Sequence, residues 1–121
     1  MKRQEVIDYI NDEFSVCPEQ LWASFPNYLV FRNAKNKKWF GIMMDIESEK
    51  LRFGGSEKKD ILVIKSDPIL IGSLIHNRGY LPAYHMSKKN WVTVLLDGSA
   101  PDDQVKDLIH LSYEIIEKAK R

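Results

Sequence analysis

The chain has a single cysteine, Cys17, so an internal disulfide is excluded and a reducing compartment, the cytoplasm, is the expected location. No run approaches the ~18 apolar residues that a membrane-spanning helix needs. Met1-Lys2-Arg3-Gln4-Glu5 leads into Asp8, Asp12 and Glu13, not into the apolar stretch of a secretory leader. Six glycines and five prolines in 121 residues are too few for a collagen-like or low-complexity chain. An excess of one charge is lacking as well. The formal net charge is +1, which gives no whole-molecule pull toward nucleic acid or anionic membranes. His76, His85 and His110 stand at separations of nine and twenty-five residues, which matches no metal-ligand spacing. Neither Cys17 nor the carboxylates carry a partner pattern for nucleophilic or acid–base chemistry. No enzymatic activity and no cofactor are expected.

What is present is an ordinary globular composition, 44% hydrophobic and 29% charged, at a length that fits one domain over residues 1–121. The charge alternates along the chain. Residues 1–20 sum to −3, 21–44 to +4, 45–75 to −1, 76–96 to +3 and 97–121 to −2. The two basic blocks contain no acid, so they form one basic face if the fold brings them together; otherwise they are separately solvated charges.

Hydrophobic spacing sets the expected elements. Val6, Ile7, Ile10 and Phe14 make one helical stripe over 2–14, broken near Pro18. Tyr28 to Ile46 reads as an antiparallel hairpin turning at Asn33-Ala34-Lys35-Asn36, with Phe40, Ile42, Met44 and Ile46 expected on one face and Trp39, Gly41, Met43 and Asp45 on the other. Glu47 to Asp60 is a charged loop, Lys50-Leu51-Arg52-Phe53 a short strand within it, and Gly54-Gly55 a turn; the segment has a phosphate loop's composition without its spacing. A strand is expected over 61–65. A helix over 67–77 follows, capped by Asp67 with Pro68 at its first position and closed by Gly79. Pro82 keeps 79–85 out of a central ladder. Trp91 to Leu96 is the clearest strand, and 101–120 the last helix, its face Val105, Leu108, Ile109, Ser112, Ile115, Ile116 and Ala119, with Lys118, Lys120 and Arg121 at its dipole's negative end. Trp91, Val94, Leu108, Ile109, Ile115 and Ile10 are expected in the core, and Cys17 as a small, partly buried side chain. The order gives an α+β fold: a mainly antiparallel sheet packed by helices on one side.

Tyr84-His85-Met86-Ser87-Lys88-Lys89-Asn90-Trp91 gathers polar donors and aromatic rings ahead of a buried strand. Continued through Val92-Thr93-Val94-Leu95-Leu96-Asp97-Gly98, Pro101-Asp102 and Leu111-Ser112-Tyr113, it resembles the signature of the MmcQ/YjbR family. Asp67-Pro68 and Gly79-Tyr80-Leu81-Pro82-Ala83 are similar to that family too. Ser87 stands where the family has Asn and Asn90 where it has His, both keeping polar character. The resemblance implies a CyaY-like fold and kinship to "double wing" DNA-binding modules; it implies no enzymatic activity.

Two functional readings follow. In the first, a non-enzymatic protein binds double-stranded DNA through a basic sheet face, with Arg32, Lys35, Lys37, Lys38, Lys88 and Lys89 on phosphates and His85 at the edge. In the second, the domain binds a protein or a small ligand and those charges only solvate it. A monomer is expected in both, with no membrane association and no metal.

Overall fold

The computed structural model describes residues 1–119; Lys120 and Arg121, assigned above to the last helix, lie outside the described residues. Helix α1 spans Arg3–Phe14. At its start the Lys2 amide donates to the Glu5 carboxylate at 2.9 Å, so one of the helix's free donors is satisfied. Strands β1 (Leu29–Arg32) and β2 (Trp39–Glu47) form the expected hairpin. A 3₁₀ turn over Ser48–Leu51 leads to β3 (Lys58–Lys65). Helix α2 (Pro68–Leu74) begins as its sequence dictates, the Asp67 carboxylate accepting from the Leu70 amide at 2.9 Å with Pro68 following. Strands β4 (Tyr80–Pro82) and β5 (Trp91–Leu95) precede the long helix α3 (Asp102–Lys118). Among the described residues no helix is long and apolar enough to cross a membrane.

The sheet runs β1-β2-β3-β5-β4, with every neighbouring pair antiparallel. Strand β5 is internal and buried along its whole length, and β4, which carries Pro82, is an edge, where a missing amide costs no ladder bond. The outer edge of β1 is protected by a two-bond bridge between Glu19 and Val30, both 2.9 Å.

One sheet face carries Phe31, Met43, Leu62, Ile64, Val92 and Val94, buried under the apolar stripes of α1 and α3. The other carries Ile42, Met44, Ile61, Val63, Trp91 and Leu95. Among the described residues no α-helix packs on this second face. Loops around Trp22–Tyr28, Ser48–Phe53 and Tyr84–Met86 rim it instead.

Several expectations are corrected. The register between β1 and β2 shifts between Phe31/Gly41 and Arg32/Trp39, so β2 holds one extra residue there, a β-bulge. Strict alternation fails at that point. Phe40 joins the helix side, 6.0 Å from Phe14 and 4.9 Å from Tyr113 between ring centres, while Trp39 turns to the helix-free face with Ile42 and Met44. Residues 50–53 are not a strand: the chain coils as a 3₁₀ turn and ends at Arg52 with φ 68°. Strand β3 starts three residues before Ile61, because Lys58–Asp60 pair with Asp45–Glu47. Helix α2 ends at Leu74, short of Gly79. On α3 the buried stripe is Val105, Leu108, Ile109, Ser112 and Ile116; Ile115 is half-buried, as the 100° step carries it to the stripe's edge, and Ala119 is exposed because it lies past the helix's last residue, Lys118, in an extended conformation. Cys17 is exposed and accepts from Asn11 Nδ2 at 3.2 Å.

Ser112 shows why a polar residue belongs on that stripe. Its fully buried Oγ donates to the Phe40 carbonyl, inside the bulge, at 2.6 Å and accepts from the Lys65 amide at 2.9 Å. One hydroxyl therefore satisfies two backbone groups that the irregular ladder leaves unpaired. Ser112→Ala strands both, and urea unfolding should show a loss of about 1–3 kcal/mol. A change within about 0.5 kcal/mol, the range of a surface substitution, would mean the bulge is held by something else.

Candidate functional site

The two basic blocks meet at one end of the sheet, since the β1–β2 turn and residues 87–90 both lie beyond the Arg32/Trp39 and Lys65/Trp91 register positions. A shared end is not a shared face. Lys35 turns to α3 and pairs with Glu117 at 3.1 Å, and Lys38 Nζ donates to the Ala119 carbonyl at 3.4 Å. Both cations therefore belong to the helix side. Arg32 stays on the helix-free side, but Glu19 engages its Nε at 2.6 Å and its guanidinium lies 5.8 Å from the centre of the Trp39 ring. Lys37 is exposed in the turn at φ 63°, and Lys89 is exposed with no partner among the described residues. The single continuous face expected for Arg32, Lys37, Lys38, Lys88 and Lys89 is thus not formed.

His85 and Lys88 do come together. They line a cleft of about 590 Å³ on the helix-free face, with Lys50–Phe53 on one wall and Leu81–His85 on the other. Lys50, Arg52, His85 and Lys88 converge there, and no carboxylate is among the lining residues. Lys88 Nζ donates to the Ala83 carbonyl at 3.0 Å, which orients the ammonium and leaves two of its three N–H groups for another partner.

The 83–91 segment is built to hold this wall. Thr93 Oγ1, fully buried on β5, accepts from the Tyr84 amide at 3.0 Å, and the Ser87 carbonyl accepts from the amides of Asn90 and Trp91. Between these anchors His85 adopts φ 60°, a left-handed conformation that costs a non-glycine residue free energy and is kept only where the surroundings impose it. Opposite, Arg52 is also left-handed, and Gly54 and Gly55 at φ 74° and 90° turn the loop back toward β3.

A second hollow of about 270 Å³ adjoins the cleft and shares Tyr84 and His85 with it. Trp22, Phe25, Tyr28 and Trp39 wall it, over a floor of Ile42 and Met44. The rings brace one another: Trp22 meets Trp39 edge-on at 6.0 Å and Tyr28 at 6.2 Å, while Phe25 stacks on Tyr28 at 4.7 Å. Burial pushes the Tyr28 phenol above its ordinary pKa, helped by Tyr84 and Asp45, so it remains a hydroxyl donor at neutral pH.

Sequence reasoning missed Lys50, Arg52 and the Trp22–Tyr28 rim. The signal for the first two was local. Within the block summing to −1, Glu47 and Glu49 cancel them numerically, yet neither acid lines the cleft.

Comparison with known proteins gives the relatives. A model of the YjbR family matches residues 15–115. The uncharacterized protein YyaQ of Bacillus subtilis is 30% identical over 115 residues, covering 95% of this chain and 98% of that one. The uncharacterized protein YjbR of Escherichia coli is 36% identical over 59 residues, 48% of this chain and 50% of its own. Among solved structures, the crystal structure of a Pseudomonas syringae protein superposes with TM-score 0.92 at 40% identity, over 95% of this chain and 98% of that one. A Deinococcus radiodurans protein at 22% identity and TM-score 0.71, over 98% of this chain and 80% of its own, shares the fold.

Proposed function

The chain belongs to the YjbR family, and from that premise we propose that it is a non-enzymatic binding protein whose site is the basic cleft of the helix-free face, taking an anionic ligand. The observation that carries this reading is the convergence of Lys50, Arg52, His85 and Lys88 on one concave surface without a lining carboxylate. The charges of Lys50, Arg52 and Lys88, with no carboxylate in the lining, concentrate field in the recess and favour an anion there over bulk solvent. Arg32 and Lys35, by contrast, already spend their charge on Glu19 and Glu117.

Nuclear magnetic resonance titration of the labelled protein with inorganic pyrophosphate at low salt tests it. Saturable amide shifts should centre on residues 50–53 and 81–88, and Lys50→Ala with Arg52→Ala should weaken binding at least about tenfold, as charge-assisted hydrogen bonds are worth roughly 1.5–3 kcal/mol each. Absent shifts, or shifts centred on the β1–β2 turn, would overturn the assignment.

Double-stranded DNA is the second reading, favoured by the common sheet end of the two basic blocks. It predicts that Lys88→Ala with Lys89→Ala weakens binding alike for all sequences. The slope of log affinity against log salt should shallow by about two units, ~0.9 for each phosphate that is no longer neutralised. Unchanged affinity and slope in anisotropy titrations would remove this reading.

A further inference from the structure

We infer that the anion is the phosphate of a free mononucleotide, held in the basic cleft, with its base entering the aromatic hollow between Trp22, Tyr28 and Trp39. The inference rests on the anion-binding reading and adds the second subsite. Three observations carry it. The cationic cleft and the aromatic hollow are contiguous, meeting at Tyr84 and His85, so one molecule with a charged end and a flat end spans both. The hollow is lined by no lysine, arginine or carboxylate and is walled by rings already braced edge-on, which suits a neutral aromatic ring. The shared wall is pinned at the Tyr84 amide by Thr93 and at Ala83 by Lys88, so the two subsites keep a fixed relation before anything binds.

A longer strand is disfavoured by what lies next. Beyond Phe25 and Tyr28 the neighbouring hollow is lined by Asp45 and Glu47 together with Lys50 and Lys58, a balanced set that continues no cationic track for a following phosphate. The occupant is therefore a single nucleotide.

Titration of the intact chain with adenosine monophosphate, ribose 5-phosphate and inorganic pyrophosphate, followed by tryptophan fluorescence and calorimetry, tests this. Adenosine monophosphate should bind about tenfold or more tighter than ribose 5-phosphate, within the range expected when one base stacks on aromatic side chains. It should also change the fluorescence of Trp22 and Trp39. Trp22→Ala should remove that preference and leave pyrophosphate affinity unchanged; Phe25→Ala, at a ring 50% exposed, reports the same loss should the first variant fold poorly. If pyrophosphate binds but adenosine monophosphate is no tighter than ribose 5-phosphate, the base subsite is wrong and the anion cleft stands. If none of the three binds, the anion reading falls as well. A short 5′-phosphorylated single strand binding more tightly than adenosine monophosphate would overturn the restriction to a single nucleotide.

Discussion

Ile109→Ala is expected to lower the unfolding free energy by about 2–5 kcal/mol. Ile109 is fully buried on α3, in the core shared with Val6 and Ile10 of α1 and with Phe40 and Ile64 of the sheet. Helix α3 packs chiefly on the central strands β2 and β3, so the side chain sits where the helix–sheet layer is closed on all sides. Removing three carbons there loses their transfer free energy and leaves a void that a β-sheet floor fills poorly, since the strands are held by their ladders. Leu108, 5% exposed, should behave similarly. Urea unfolding with an unchanged slope is the measurement. A loss below about 1 kcal/mol at both positions would show that α3 does not carry the core, whatever its stripe suggests.

Gly79→Ala should be comparably damaging, by about 2–5 kcal/mol, and for a different reason. Gly79 has φ 97°, and a β-carbon there would stand 2.7 Å from the Ala100 amide nitrogen and 2.9 Å from its Cα. Backbone cannot yield as a side-chain tip can. The Gly79 carbonyl also accepts from the Leu95 amide at 2.8 Å, so the residue cannot move away without disturbing the start of β4 and the end of β5. Gly72→Ala in α2 is the internal comparison. Its β-carbon would meet nothing within 4 Å, and a glycine inside a helix is destabilising by roughly 0.5–1 kcal/mol relative to alanine, so that variant should be neutral or slightly more stable. Thermal melts of the two variants side by side decide it. Equal behaviour would show that the close approach of Gly79 to Ala100 does not constrain the fold.

Much of the architecture was legible because its causes are local. The stripe Val6-Ile10 on α1, the Asp67-Pro68 start of α2 and the β-branched and aromatic run of β5 each depend on residues a few positions apart, and each lies where periodicity, strand preference and capping place it. Pro82 kept its segment out of a central ladder through its missing amide, but the edge strand β4 that the segment forms was not placed from the sequence. The errors also have local causes. Alternation along β2 assumed an unbroken pleat, and one bulge at Phe40 reversed the phase of everything before it.

Residue order alone was enough for the helices, the antiparallel α+β class and the presence of two acid-free basic segments. Which cations stay available, and which surface they share, was settled by folding. Arg32 is spent on Glu19, thirteen residues earlier, and Lys35 on Glu117 at the far end of the chain, whereas Lys50 and Arg52 face Lys88 across a cleft that no block sum could reveal. Periodicity is fixed between neighbours along the chain, while the availability of a charge depends on which opposite charge folding brings within a few ångströms of it.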